Sequence, residues 1–142
     1  MSARRIYPLL LLLIVTTLLS SCAEVRKLTY PGDITYIDRS KVTGAMRQMS
    51  DSVTRLESII SAAPQSGNVD QQAVVRELTT LEKLASSLQV KKGYSNQKVI
   101  DEHIDNFLEN VSVAREAAEH SPPNYYLAGR IAGSCAACHR IR

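Results

Sequence analysis

Trp and Phe are almost missing from this sequence: there is no Trp and one Phe in 142 residues, beside six Tyr. A core built without them must use Leu, Ile, Val and Ala, which leaves volume for something else to fill. Six Gly and five Pro are scattered, and none forms the Gly-rich run that cradles phosphate groups. Neither a Ser/His/Asp set nor a pair of catalytic carboxylates stands out from the solvated helical faces, so no enzymatic turnover is expected. Charge of one sign is not in excess either. Lys and Arg number 17 against 14 Asp and Glu, with no basic patch of the kind that binds nucleic acid. No apolar run reaches the ~20 residues that a helix needs to span a bilayer.

The longest apolar run covers residues 6–19, follows Arg4 and Arg5, and precedes the small residues Ser20 and Ser21. That order is the basic, hydrophobic, small-residue order of a secretory signal. Its end, Leu19-Ser20-Ser21-Cys22, resembles the bacterial lipobox, whose cysteine becomes the lipidated first residue of the mature protein. A thiol is needed there to take diacylglycerol as a thioether, and acylation of the freed amine adds the further chain that makes anchoring stable. Residues 1–21 are therefore read as a lipoprotein signal peptide and Cys22 as the lipidation site. By the same resemblance, Ala23 in place of Asp favours the outer over the inner membrane, with the protein facing the periplasm. Cleavage removes two of the basic residues, which leaves the mature chain near neutral.

Residues 22–37 contain Pro31-Gly32-Asp33 and little periodicity, and read as a tether. Residues 38–142 divide into four helix-length segments. Helix 1 is expected over 38–62, capped by Asp38 or Ser40, with the stripe Val42, Met46, Met49, Val53, Leu56, Ile60 in steps of 4, 3, 4, 3, 4. Pro64-Gln65-Ser66-Gly67 should end it. Helix 2 is expected from Asn68 or Asp70 to Val90, with Val74, Leu78, Leu81, Ala85 and Leu88 inward and Gly93 as a left-handed cap. Helix 3 is expected after Asn96 as N-cap, with Ile100, Ile104, Phe107, Val111, Ala114 and Ala118 inward, stopped by Ser121-Pro122-Pro123. Helix 4 is expected from about Asn124 to the end, with Leu127 and Ile131 inward and Tyr125 and Tyr126 anchoring it. Short connections between helices favour an all-α, antiparallel, up-down-up-down four-helix bundle. Gly44, inside helix 1, costs about 1 kcal/mol relative to Ala; it reads either as allowing a close approach or as simply tolerated near a frayed helix end.

Cys135-Ala136-Ala137-Cys138-His139 is the CxxCH pattern of c-type haem attachment. Two thiols add across the two haem vinyl groups, and the following imidazole is held under the iron. A structural zinc site would need four protein ligands, and the other histidines are only His103 and His120. A redox CxxC belongs in a βαβ setting that the helical pattern does not offer. Lipid on Cys22 and haem on Cys135 and Cys138 together consume all three cysteines, as suits an oxidising compartment.

A four-helix pattern that ends in Gly133-Ser134-Cys135-Ala136-Ala137-Cys138-His139 resembles the class II cytochromes c, the cytochrome c′ family with its low-spin relatives. The resemblance covers residues 38–142. It implies one covalent haem c carried on the last helix of the bundle, and often a homodimer through helices 1 and 2. Where the family continues to an aromatic residue and Arg, this chain ends Arg140-Ile141-Arg142, so no Arg–propionate contact is carried over. With the helices antiparallel, the face of the iron opposite His139 is reached by Met46, Met49 or His103. The family's register favours Met49, with Met46 as the alternative, while in high-spin relatives that place is apolar and does not ligate. His103 falls beside its stripe and reads as a surface or hydrogen-bonded histidine, and His120 lies at the far end.

The leading expectation is thus a membrane-anchored single-haem electron carrier serving an unidentified redox partner protein. A five-coordinate haem that binds NO or CO is the alternative, and a lipoprotein in which haem mainly completes the fold is a third reading.

Overall fold

The structure, a computed structural model, describes residues 31–62 and 68–140. The signal-like segment, Cys22, most of the tether, Pro64-Gln65-Ser66-Gly67 and Ile141-Arg142 lie outside the described residues. By compactness the chain divides into Met1–Tyr36 and Ile37–Arg142. In the first unit the described residues begin with a turn in which the Ile34 N–H donates to the Pro31 carbonyl at 3.0 Å.

The second unit is all-helical among its described residues: α1 Arg39–Ser61, α2 Gln71–Ser86, α3 Lys98–Glu119 and α4 Ile131–His139, with a 3-10 turn Ala128–Arg130 leading into α4. Helix α1 packs on α2, α2 on α3, and α3 on α4. Asp38 caps α1 by accepting from the Ser40 N–H at 2.9 Å, and Asp70 caps α2 by accepting from the Ala73 N–H at 2.9 Å. Each cap satisfies a backbone donor that the first turn cannot pair internally.

The core follows the heptad stripes. Val74, Leu78, Leu81, Ala85 and Leu88 are buried along α2 and its exit, and all six expected residues of α3 are buried with them. On α1 the buried residues are Ala45, Met49, Ser52, Val53 and Leu56, while Val42, Met46 and Ile60 are only partly buried against the core. The side of α1 that meets α2 is therefore turned by one position, through the small residues Ala45 and Ser52. Ser52 is fully buried and donates to Glu77 Oε2 at 2.6 Å, while Arg55 Nε reaches Glu77 Oε1 at 3.0 Å. Arg115 Nε donates to Glu82 Oε2 at 3.0 Å between α3 and α2.

Five local expectations change. Ile37 is not tether but core: it is buried, its N–H donates to Asn96 Oδ1 at 2.6 Å, and its carbonyl accepts from Asn96 Nδ2 at 3.1 Å. With its amide committed to Ile37, Asn96 does not cap α3. Gln97 occupies the cap position without a side-chain bond, and the Ser95 Oγ accepts from the Gln97 N–H at 2.9 Å. Helix α2 ends at Ser86 rather than Val90, because the Leu88 and Gln89 N–H groups bond three residues back and tighten the exit. Gly93 does take positive φ (+79°), but within a turn closed by the Tyr94 N–H on the Lys91 carbonyl, not as the cap of α2. Helix α4 begins at Ile131 rather than near Asn124, since the Asn124 side chain accepts from the Tyr126 N–H and forms a local turn that competes with the helix. Leu127 is consequently exposed, and Ala128 and Ile131 are the buried anchors.

Two smaller readings also resolve. A Cβ built on Gly44 meets nothing within 4 Å, so no close approach depends on it. Tyr125 packs partly buried against the core, whereas Tyr126 is 65% exposed and its hydroxyl accepts from Arg130 Nη1 at 2.8 Å.

Candidate functional site

On α4 the positions 132, 135, 138 and 139 follow the i, i+3, i+4 rule and share one face. That face borders a cavity of about 520 Å³, whose lining includes Ala132, Cys135, Cys138 and His139. The volume falls in the ~300–1,000 Å³ range of cofactor and ligand sites. The opposite wall is α1, through Thr43, Met46, Arg47, Met49, Ser50, Val53, Thr54 and Glu57, and Ile104 and Phe107 of α3 close the back. Helices α1 and α4 do not close on each other as the other neighbours do; the cavity lies between them.

Five of the residues singled out from the sequence thus share one space: Cys135, Cys138, His139, Met46 and Met49. On a helical wheel at 100° per residue, Met46 lies near the middle of the cavity wall, and Met49 lies about 60° further toward the core. Met49 is 6% exposed and Met46 is partly buried. His103, half-buried on α3, does not line the cavity, and His120 is exposed at the far end of α3. Cys22 lies outside the described residues.

Both cysteines are free thiols. Burial pushes the Cys135 thiol up from its ordinary pKa, and neighbouring Cys138 and Glu57 add to the shift. Burial raises Cys138 as well. A redox-active CxxC works the other way, with its thiolate stabilised by positive surroundings. Among the described residues no group of three or more His, Cys, Asp and Glu converges as a metal-ion site. The donors are instead two neutral thiols and one imidazole on one wall, and two thioethers on the other.

The polar residues of the α1 wall, Arg47, Ser50, Thr54 and Glu57, were not singled out from the sequence. They flank the apolar stripe and read there as a solvated face. The signal that marks them is their spacing: 47, 50, 54 and 57 recur in steps of 3, 4 and 3 and form a second stripe beside the apolar one.

The chain matches no protein-family model, no curated protein and no solved structure. The chemistry of the cavity must speak for itself. A planar, largely apolar cofactor with two vinyl groups and a central iron fits it: two thiols one turn apart can each take a vinyl carbon, the adjacent imidazole can ligate iron, and Val53, Ile104 and Phe107 can cover the ring.

Proposed function

We propose that this chain is an exported, lipid-anchored c-type cytochrome whose single haem transfers one electron at a time. The observation that carries the reading is the cavity that gathers Cys135, Cys138 and His139 of α4 opposite Met46 and Met49 of α1. The proposed architecture is an antiparallel up-down-up-down bundle with haem on the last helix. It is supported by hydrogen bonds that join opposite ends of successive helices. Gln71, which opens α2, donates to the Ala118 carbonyl near the end of α3 at 2.8 Å, and Gln89 beyond α2 reaches Asp105 in the second turn of α3 at 2.8 Å.

Cys135 and Cys138 would hold the porphyrin through thioether bonds, and His139 would ligate the iron. When bound, haem supplies an iron that cycles between the ferrous and ferric states. The chain's own residues do the rest. Ile104, Phe107 and Val53 line the cavity and would keep water from a bound ring and lower the local dielectric, which would help to set the potential. A methionine of α1 would offer the iron a thioether, a donor that favours a comparatively high potential suited to electron transfer. The register of the cytochrome c′ resemblance gives Met49 this role, and position at the middle of the wall gives it to Met46. The apolar residues of the same wall support the competing reading, in which no side chain ligates and the iron takes up NO or CO. Export and anchoring rest on the signal-like residues 1–21 and on Cys22.

Absorption and near-infrared spectra of the ferric and ferrous protein test the assignment. The electron-transfer reading expects a low-spin haem with the sulfur-to-iron band, lost in either Met49→Ala or Met46→Ala. A high-spin resting protein that takes up CO without displacing a ligand would move the gas-binding reading ahead.

A further inference from the structure

Between Ile37 and Arg140 the chain carries twelve Lys and Arg and twelve Asp and Glu, so this stretch is neutral as a whole. The charges are not evenly spread. The start of α1, the turn between α2 and α3, the start of α3 and the end of α4 carry Arg39, Lys41, Lys91, Lys92, Lys98 and Arg140, all exposed. In the proposed antiparallel arrangement these segments share one end of the bundle. One hydrogen bond supports that placement: Asn96 joins the start of α3 to Ile37 just before α1.

Six bases at this end stand against four acids, a net charge of +2, and each acid has a partner of its own. Asp38 caps α1, Asp101 is buried and accepts from the Ser95 N–H and Oγ, Asp105 accepts from Gln89, and Glu102 lies 3.9 Å from Lys98. Arg39, Lys41, Lys92 and Arg140 have no ion pair among the described residues. At the other end the balance reverses: Glu57, Asp70, Glu116 and Glu119 stand there, and Arg115 is shared between Glu82 and Glu119.

We infer that the basic end is a docking surface for the anionic phospholipid headgroups of the bilayer to which the chain is anchored. The inference rests on the lipoprotein reading for its orientation. Residues 23–36 join the lipid-bearing Cys22 to Ile37 and span at most about 50 Å when extended. The chain enters the bundle at its basic end, so the tether is attached there and not at the acidic end. A single lipid signal is strengthened by a polybasic surface, and each Lys or Arg close to an anionic leaflet multiplies binding by about five. The docked orientation brings the His139 end of the cavity to the membrane, so that electron exchange occurs with a partner at the bilayer.

The test uses the full mature chain made without lipid, as Cys22→Ala behind an ordinary signal. It is mixed with vesicles of phosphatidylglycerol and phosphatidylcholine, or of phosphatidylcholine alone, and sedimented. Binding is expected only with phosphatidylglycerol, at about 0.01 M salt where the Debye length is ~30 Å, with release at about 1 M where it is ~3 Å. The double variant Lys91→Gln/Lys92→Gln should bind roughly 25-fold more weakly, while Arg76→Gln/Arg130→Gln, which removes equal charge elsewhere, should bind as the parent does. Absence of phosphatidylglycerol-dependent binding at low salt overturns the proposal and leaves the patch to an acidic protein. Equal losses in the two double variants also overturn it. Because the assayed chain has no lipid, its result stands apart from mass spectrometry of native Cys22, which tests the anchor itself.

Discussion

Loss of the proposed haem should release α4 before anything else in the bundle. The helix has nine residues, below the ~12–15 at which isolated helices become even marginally stable. Its fully docked side chain is Ile131, preceded by Ala128 in the 3-10 turn, and Ala132 and Cys135 are only partly buried. Burying one Ile contributes about 2–3 kcal/mol, and each helical hydrogen bond adds about 1 kcal/mol net. Against that stands about 1–2 kcal/mol of backbone entropy for each ordered residue. For nine residues that entropy, about 9–18 kcal/mol, matches or exceeds the gains, so α4 without its cofactor is held by no more than about 2 kcal/mol, compared with ~5–15 kcal/mol for a whole domain. In Cys135→Ala/Cys138→Ala, amide hydrogen exchange should therefore show α4 within roughly 30-fold of unfolded-chain rates. The Leu78, Leu81 and Val111 amides should stay protected to the global limit. In the haem-loaded parent, α4 should join them. Equal protection of α4 and α3 in the cysteine-free chain would refute the reasoning, because it would mean that α4 docks without the cofactor.

Gly44→Ala should stabilise the protein by about 1 kcal/mol, since the position is helical and the added methyl meets open space; thermal unfolding should shift upward by about 4 °C. Leu78→Ala, at a fully buried position of α2, should cost about 2–5 kcal/mol in denaturant titration. The Arg55 guanidinium, helped by the Ser52 hydroxyl, holds the Glu77 carboxyl below its ordinary pKa against the opposing effect of burial. A depressed folded-state pKa gives stability that is present above the unfolded value near 4.3 and is lost as pH falls through the folded value. Glu77→Gln should accordingly flatten the acid limb of the stability–pH curve, and an unchanged limb would place the acid sensitivity elsewhere.

Much of the fold was legible because heptad steps survive folding: the stripes of α2 and α3 became the core residue by residue. Helix α1 was harder because it serves two neighbours. Periodicity alone followed the larger apolar residues such as Met46 and Val53, which meet the cavity, and passed over the small buried residues Ala45 and Ser52 on the side that meets α2. Helix ends were least legible, because side-chain commitments that decide them cross the chain. Asn96 looked like a cap until Ile37, 59 residues away, claimed its amide. The CxxCH pattern was plain in the sequence, but the wall that faces it was only half so. Met46 and Met49 could be placed by topology, while Arg47, Ser50, Thr54 and Glu57 carry no signal apart from their spacing beside the core stripe.

The central claim is that Cys135 and Cys138 hold a haem covalently. Trypsin cleaves after Arg130 and Arg140, so the ten residues between them carry the whole motif. Mass spectrometry of that peptide, from protein produced in a host able to mature c-type cytochromes, should find it heavier by one haem. The same peptide with two free thiols, from protein whose haem extracts into acidic organic solvent, would contradict the account.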